Sequence, residues 1–508
     1  MTRLSQRWRG QAGRSAVRRG LDRLVAALDR LVLRIFFRRV EVVGGERLPP
    51  GRPLVVVANH VNGMVDPLLI VGALPIMPRF LGKHTLWRNP ALRPWLALGG
   101  VLPIYRRQDL PAPPAAGQGE AGVGAADGAP QAEASQNAET FARCYEELAA
   151  GGAIALFPEG ISHSEPALAP LKTGAARIVI EAERRFPGLG TLIVPVGLTF
   201  EAKGTFRSRA LVEIGAPIDP LAAAAPEAAR AGAPDPVPAQ APEAPEAVRA
   251  LTRRIDQGLR AVTLNYGSWE EARLIGRAAE LFARPGVEVP GSPRLAERFD
   301  LHRAFVEGYG ELCRRFPERT AAAARAVERY DRMLRAFGLR DDQVAAAYPV
   351  ASVARFTLLT ALRLAVLLPL AACGILLNWP TYRLVGGIAA RATREPDITA
   401  TYKVFGGIFL YPLTWVAEAA VGAWLAGTHG AAAFFSLLAA APATGYFALR
   451  FDDRRARLWR EARAYLVLRT RQRLAAEIKQ ARAGAAREVG ALAGLYLAGS
   501  ADSPANRS

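Results

Sequence analysis

Apolar positions fall into three regimes along the chain. From Leu21 to Phe37, the residues Leu21, Leu24, Val25, Leu28, Leu31, Val32 and Ile35 recur at spacings of three and four, with Arg23, Arg30, Arg34 and Arg38 filling much of the rest. That period predicts a basic amphipathic helix over 1–39, suited either to a headgroup layer or to docking on the domain that follows. Over 40–219 the pattern changes to short apolar runs separated by helical stretches. Leu54–Ala58, Ala153–Phe157, Leu192–Val196 and Ala210–Ile214 read as buried strands, and Pro67–Ala73, Ala138–Ala149 and Thr173–Arg185 as helices. Such alternation predicts an α/β layered domain.

Two Ala/Pro-rich stretches punctuate this pattern. Residues 109–136 carry almost no large apolar side chain and predict a disordered insertion, and 220–246 read as a linker. Residues 247–350 are polar and helical in pattern. The third regime, 351–450, holds two long apolar blocks, Phe356–Ala390 and Val404–Leu449. Thr357–Trp379 is long enough to cross a bilayer, with Arg363 near enough to its end to snorkel. The second block reads as a helical hairpin turning at Gly427-Thr428-His429-Gly430, with Glu418 its one acidic residue. Three spans follow, and a fourth only if Arg383-bearing Pro380–Ala390 is counted. A basic helical tail, 451–508, closes the chain.

Composition narrows the class. The 508 residues carry 65 Lys+Arg against 46 Asp+Glu, a net charge of +19, and 51% are hydrophobic. A chain this apolar buries a core and is not wholly disordered. Three scattered cysteines, Cys144, Cys313 and Cys373, exclude a disulfide-stapled scaffold and fit a reducing compartment. The positive charge collects at both ends: eleven Arg against two Asp in 1–40, and twelve Lys/Arg against six Asp/Glu in 451–508. No zinc knuckle, aromatic sheet signature or Arg-Gly repeat accompanies it, so an acidic membrane surface rather than nucleic acid is the expected partner. Arginines run through the N-terminus without the uninterrupted apolar core of a secretory signal. The basic ends favour the cytoplasmic side, as at a bacterial inner membrane, which asks for an even number of spans.

The candidate chemistry lies where the strands end. Directly after Leu54–Ala58 comes Asn59-His60-Val61-Asn62-Gly63-Met64-Val65-Asp66-Pro67. A carboxylate folded back by the Asn-Gly turn can fix the imidazole tautomer and raise its basicity toward a hydroxyl proton. Equally, His60 can be a structural residue and Asp66-Pro67 an ordinary helix start. Phe157-Pro158-Glu159-Gly160 follows another strand and leaves a carboxylate at its mouth, able to orient a polyol or a basic partner. Lys172, at the start of a helix, suits a phosphate. So does the planar fork of Arg106, at the end of Gly100–Arg106, with Arg107 beside it. No Gly-x-Ser-x-Gly elbow is present, which points away from a covalent serine intermediate. His60, Asp66, Glu159 and His163 show no spacing that prefers a metal.

Taken together, His60…Asp66, Gly100…Arg106, Phe157-Pro158-Glu159-Gly160 and Val194-Pro195-Val196 resemble the four sequence blocks of the glycerol-phosphate and lysophosphatidate acyltransferase family. The resemblance covers roughly residues 40–219. It implies a glycerolipid-acyltransferase-like α/β fold and transfer of an acyl group from acyl-CoA or acyl carrier protein to a hydroxyl of glycerol 3-phosphate or 1-acylglycerol 3-phosphate, with no cofactor and no metal. Carried over by position, His60 is the general base, Asp66 its partner and Arg106 a phosphate ligand. Glu159 and Gly160 shape the acceptor site, Pro195 belongs to the block lining the acyl or acceptor side, and Lys83 and Lys172 fall where the family often has Lys. Two features depart from the usual pattern. Five residues rather than four separate His60 from Asp66, and Pro-Glu-Gly continues Ile161-Ser162-His163-Ser164 rather than Thr-Arg. Both resemble the fungal glycerol-3-phosphate/dihydroxyacetone-phosphate branch, which also carries long segments after the domain. The altered spacing leaves a second reading open, a non-catalytic lipid-binding or scaffold protein that retains the fold.

Overall fold

The computed structural model describes residues 16–88, 92–105, 128–224, 244–283, 294–345, 350–393 and 395–501. Arg106, Arg107, most of the 109–136 insertion and most of the 220–246 linker lie outside them; residues 128–136 are the opening turns of a helix rather than loop. The chain divides into two compact units, one running to Thr263 and including Glu395–Thr401, the other made of Leu264–Arg394 and Tyr402 onward.

The first unit follows the order α1 (Ala16–Phe36), β1 (Arg39–Val43), β2 (Leu54–Ala58), α2 (Val65–Ala73), β3 (Arg79–Lys83), α3 (Arg93–Gly99), β4 (Leu102–Ile104), α4 (Gly128–Ala149), β5 (Ala153–Leu156), α5 (Gly174–Arg185), β6 (Leu192–Phe200), β7 (Arg209–Ile214) and α6 (Ala244–Ala261). The seven strands form one sheet in the order β1-β7-β6-β2-β5-β3-β4. Neighbours are parallel except β6 and β7, which run antiparallel. The α/β expectation is met. β2 and β5, neighbours in register Leu54↔Ala153 through Val57↔Leu156, are buried at every position. That continuous burial is what a strand covered on both faces requires, and it explains the unbroken apolar runs. On one face Val55, Val57, Ile154, Leu156 and Ile193 pack with Leu148 of α4, Ile178 and Val179 of α5, and Leu251, Ile255 and Leu259 of α6. The sequence pattern groups 247–261 with the helical segment; its Leu251/Ile255/Leu259 stripe instead completes the α/β core.

α1 packs on α2 with an unusual polarity. It buries Asp22, Asp29, Leu33 and Phe36 and exposes Leu24, Leu28, Leu31 and Ile35. Gly72 of α2 permits the close approach, since a Cβ there would lie 2.3 Å from Leu33 Cδ1 and 2.9 Å from Asp29 Oδ2.

The second unit contains α7 (Trp269–Phe282), α8 (Leu295–Arg315), α9 (Pro317–Phe337), α10 (Asp341–Ala345), α11 (Val350–Ala392), α12 (Pro396–Leu425, its first turn in the other unit), α13 (Gly430–Thr470) and α14 (Gln472–Ala501). Among the described residues, three helices are long and apolar enough to cross a membrane: Ala354–Ala392, Ile398–Leu425 and Gly427–Thr470. Pro380–Ala390 continues α11, so it supplies no separate fourth span. Of the 451–508 stretch, 451–501 form the second half of α13 plus α14, and α14 is seated on α9 and α7. Their shared core holds Val327, Tyr330, Leu334, Ile478, Ala485 and Val489. α11 and α13 run antiparallel and close. A Cβ on Gly374 would lie 2.1 Å from Thr444 O, and Asn378 Nδ2 donates to Ala441 O at 3.1 Å while its Oδ1 accepts from Trp415 Nε1 at 2.9 Å.

Asp29 gives this packing a pH dependence. Its carboxyl oxygens have no hydrogen-bond partner among the described residues, and burial pushes its pKa from 3.8 up to about 8, with Arg30 partly opposing. Folding therefore retains a proton that the unfolded chain releases. The stability held by the neutral carboxyl is complete below the unfolded pKa of 3.8 and is lost as pH rises through about 8. Asp29→Asn removes the ionisation while keeping the shape. Its advantage in denaturant unfolding should grow from near zero at pH 4 to about 1–3 kcal/mol at pH 8.5. An advantage that does not change with pH refutes the burial argument.

Candidate active site

The parallel strands deliver their following residues to one edge of the sheet, where α/β folds bind ligands. β2 runs into Asn59-His60 and, beside it, β5 runs into Phe157-Pro158-Glu159. The His60 ring stacks on Phe157, centroids 4.1 Å apart and planes 12° from parallel. His60 Nδ1 lies 2.9 Å from Asp66 Oδ2. The same oxygen accepts the Val61 and Asn62 backbone N–H groups at 2.8 and 2.7 Å, and Asp66 is wholly buried in the first turn of α2. An oxygen already accepting two N–H groups takes a third donor, so Nδ1 carries its hydrogen toward Asp66 and Nε2 presents a lone pair. The five-residue spacing does not prevent this pairing. The chain reverses at Asn62-Gly63, with Gly63 at φ +49°, and α2 begins at Val65 in time to return Asp66 to the imidazole.

A buried carboxylate ties the two loops together. Glu159 Oε1 accepts the His60 N–H at 2.7 Å, and Oε2 accepts the Ala169 N–H at 2.8 Å and the ring Nε2–H of His163. His163 Nδ1 accepts the Glu165 N–H at 3.1 Å, and the His163 N–H returns to His60 O at 3.1 Å. Ser162 Oγ accepts the Gly63 N–H at 3.2 Å. Both Glu159 oxygens are thus engaged by the protein's own donors, and the carboxylate braces the histidine loop. Gly160 has φ +74°, and a Cβ there would lie within 2.8 Å of the Lys172 side chain. The Lys172 N–H is anchored on Pro158 O at 2.8 Å, while its side chain is exposed.

The remaining predicted residues divide. Lys83 is exposed at the end of β3, next to His84, whose ring stacks on Tyr105 at 4.7 Å. The end of β4 is fixed there by a reciprocal pair, Tyr105 N–H to Asn137 Oδ1 at 2.9 Å and Asn137 Nδ2 to Tyr105 O at 2.8 Å. Pro195 sits buried within β6 opposite Val57, against Gly215 and Gly258, where an added Cβ would meet its ring at 2.8 and 3.3 Å.

One cation was not legible in the sequence. Lys203, in the turn after β6, donates to Val61 O at 3.0 Å, to Ser164 Oγ at 2.7 Å and to His163 O at 3.5 Å, and its own carbonyl accepts from Asn62 Nδ2 at 3.1 Å. It links the His60 loop to the loop after Glu159. The signal available was a lysine in a polar turn, Glu201-Ala202-Lys203-Gly204, which looks like any solvated charge.

An imidazole fixed by a carboxylate at the carboxyl edge of the sheet is an arrangement able to accept a proton. Residues 39–199 match the family described as Acyltransferase, and residues 275–494 match the glycerol-3-phosphate acyltransferase 2 C-terminal domain. Both matches agree with the resemblance of the sequence motifs to the glycerol-phosphate acyltransferases, and the curated relatives are yeast proteins. Glycerol-3-phosphate O-acyltransferase 1 of Saccharomyces cerevisiae is 28% identical over 293 residues, covering 54% of this chain and 36% of that protein. Glycerol-3-phosphate O-acyltransferase 2 of the same yeast is 30% identical over 213 residues, 42% of this chain and 26% of that protein. The chain thus spans about a third of the length of these curated relatives. Among solved structures, the 1-acyl-sn-glycerophosphate acyltransferase of Thermotoga maritima aligns at 17% identity and TM-score 0.30, over 47% of this chain and 80% of that one.

If Lys203 aligns the reacting loops, Lys203→Met lowers kcat roughly tenfold to a hundredfold with little change in acceptor KM. Ser164→Ala, which removes one of its contacts, should cost less. A rise in acceptor KM at unchanged kcat assigns Lys203 to phosphate binding instead.

Proposed function

We propose that this chain is a membrane-bound O-acyltransferase that moves a fatty acyl group from an acyl-CoA or acyl-carrier-protein thioester to a hydroxyl of glycerol 3-phosphate or 1-acylglycerol 3-phosphate. The observation that carries this is the His60–Asp66 pair at 2.9 Å, presented at the sheet's carboxyl edge. The names of the yeast relatives support glycerol 3-phosphate as the acceptor. Closure of the pair across the longer spacing removes the motive for the non-catalytic reading.

The reaction follows from the geometry. His60 Nε2 accepts the acceptor's hydroxyl proton as that oxygen attacks the thioester carbonyl. The ester C–O bond forms, the C–S bond breaks, and the imidazolium returns its proton to the leaving thiolate. Asp66 stabilises the transient imidazolium. Lys172, exposed over Gly160, with Lys83 and Arg106, supplies positive charge for the acceptor's phosphate. No cofactor beyond the thioester is required.

The apolar helices, the exposed Leu24/Leu28/Leu31/Ile35 ridge of α1 and its arginines support attachment to an anionic membrane, with the catalytic unit on the cytoplasmic face of a bacterial inner membrane. Within the second unit, the helices before the apolar block (α7–α9) pack against the helix after it (α14). Both flanks then share one side of the bilayer. The number of complete crossings is even, so the three apolar helices do not each cross once.

Purified protein offered acyl-CoA with glycerol 3-phosphate, dihydroxyacetone phosphate or 1-acylglycerol 3-phosphate should release thiol with one of them. His60→Ala should lower kcat about 10²–10⁴-fold. No release with any acceptor, from either CoA or carrier-protein donors, defeats the proposal. For topology, cysteines placed at Glu318 and Arg487 in a background lacking the native three should label from the same side with an impermeant maleimide. Labelling from opposite sides contradicts the even count.

A further inference from the structure

α11 and α13 carry a second cluster of charge, remote in sequence from the catalytic motifs. Arg363 is the one charged residue between Phe356 and Tyr382. A guanidinium within an apolar span is costly and persists where it meets an anion, a cavity or the interface. Across the antiparallel helix pair it meets another cation. Arg363, Leu362, Val366 and Leu367 of α11 and Arg454 of α13 line one open groove of about 280 Å³. Neither guanidinium has a hydrogen-bond or ion-pair partner among the described residues, and the nearby Asp452 is bound to Arg455 at 2.6 Å. Two like charges therefore share an apolar groove with no protein anion between them.

We propose that this groove is a binding site for an anionic glycerophospholipid, with the headgroup phosphate between Arg363 and Arg454 and the acyl chains against Leu362, Val366 and Leu367. The inference rests on reading α11 and α13 as membrane helices. Charge and shape select the ligand together. Two planar forks suit phosphate oxygens, and basic pockets between membrane helices on the cytoplasmic side bind anionic headgroups. The volume falls just below the roughly 300–1,000 Å³ of pockets that enclose a whole small ligand. A headgroup fits, and the chains continue along the exposed faces of Leu358, Leu362 and Val366. The pairing of 374 with 444 and 378 with 441 puts 363 and 454 at the same level of the helix pair. At that level α13 turns from apolar to arginine-rich sequence, with Arg450, Arg455 and Arg457, and α11 carries one further arginine, Arg355, about two turns before Arg363. A headgroup layer lies at such a transition. An activity assay is not needed to see the site, because lipid binding is read directly.

The full chain in neutral detergent micelles is titrated with phosphatidylglycerol, with phosphatidylcholine, and with inorganic phosphate, and bound lipid is counted by native mass spectrometry. The expected result is retention of phosphatidylglycerol over phosphatidylcholine, undisturbed by millimolar phosphate. The double variant Arg363→Gln/Arg454→Gln should weaken it at least tenfold. Arg457→Gln/Arg469→Gln removes the same charge elsewhere on α13 and should leave binding unchanged; equal loss in that control reduces the site to diffuse attraction and overturns it. Displacement by inorganic phosphate overturns it in favour of a free-anion site. Thermal melting of each variant in micelles confirms folding, and a single Arg454→Lys change, which keeps the charge and the fold but loses the planar fork, should give an intermediate affinity. Release of the parent chain from membranes by carbonate without detergent would defeat the membrane reading itself, a result separate from loss of lipid selectivity.

Discussion

The catalytic architecture depends on one buried carboxylate. Glu159 leaves β5 at the sheet edge and collects the His60 N–H, the Ala169 N–H and the His163 ring. An ionisable group taken out of water is tolerable only when its acceptor capacity is filled, so the requirement works in both directions. The carboxylate needs those donors, and the donors are thereby held where they are. Because one of them is the backbone of His60, the position of that imidazole is set by the strand next door. β2 and β5 lie side by side at full burial, and the two loops inherit that rigidity.

Much of this was legible in sequence, for a physical reason. Strands covered on both faces are apolar in long runs, so β2, β5 and β6 stand out, and β7 does over Ala210–Val212. β1 and β3 do not: Arg39 and Glu41 interrupt one, and Gly82 and Lys83 the other, with Arg39 and Lys83 exposed at edge or near-edge positions. The His60 and Glu159 loops were findable because the strands before them were. Lys203 was not, since its partners Val61 and Ser164 are brought to it only by the sheet order. Residue type and spacing say that a group is present, and only burial says which way it works. The 451–508 tail was legible as helix, but not its seat on α9 and α7, because the buried stripe of Ile478, Ala485 and Val489 is diluted by small and charged residues.

α1 shows a second consequence of burial. Its leucine ridge, which the period alone would assign to the core, faces outward, and its two aspartates face inward. Asp22 is repaid by Arg18 at 3.1 Å, whereas Asp29 keeps its proton and packs as a neutral side chain against Gly72. An amphipathic pattern fixes which residues share a face but not which solvent that face meets. With lipid as the second solvent, the outward ridge is consistent with everything else about the helix.

The two departures from the family pattern answer one another. Lengthening the His–Asp loop by one residue adds a backbone N–H at the reversal, and a buried N–H must find an acceptor. The position that carries Arg in the usual Pro-Glu-Gly-Thr-Arg block is Ser162 here, and its hydroxyl accepts the Gly63 N–H at the tip of the lengthened loop. A guanidinium, which only donates, cannot make that contact. In this chain the longer loop and the serine therefore fit one another. Lys203 lies between the two loops, its ammonium held by Val61 O, His163 O and Ser164 Oγ, and Lys172 lies over Gly160. Restoring the arginine alone would leave the Gly63 N–H without its Ser162 acceptor, so in this chain the loop length and the serine go together.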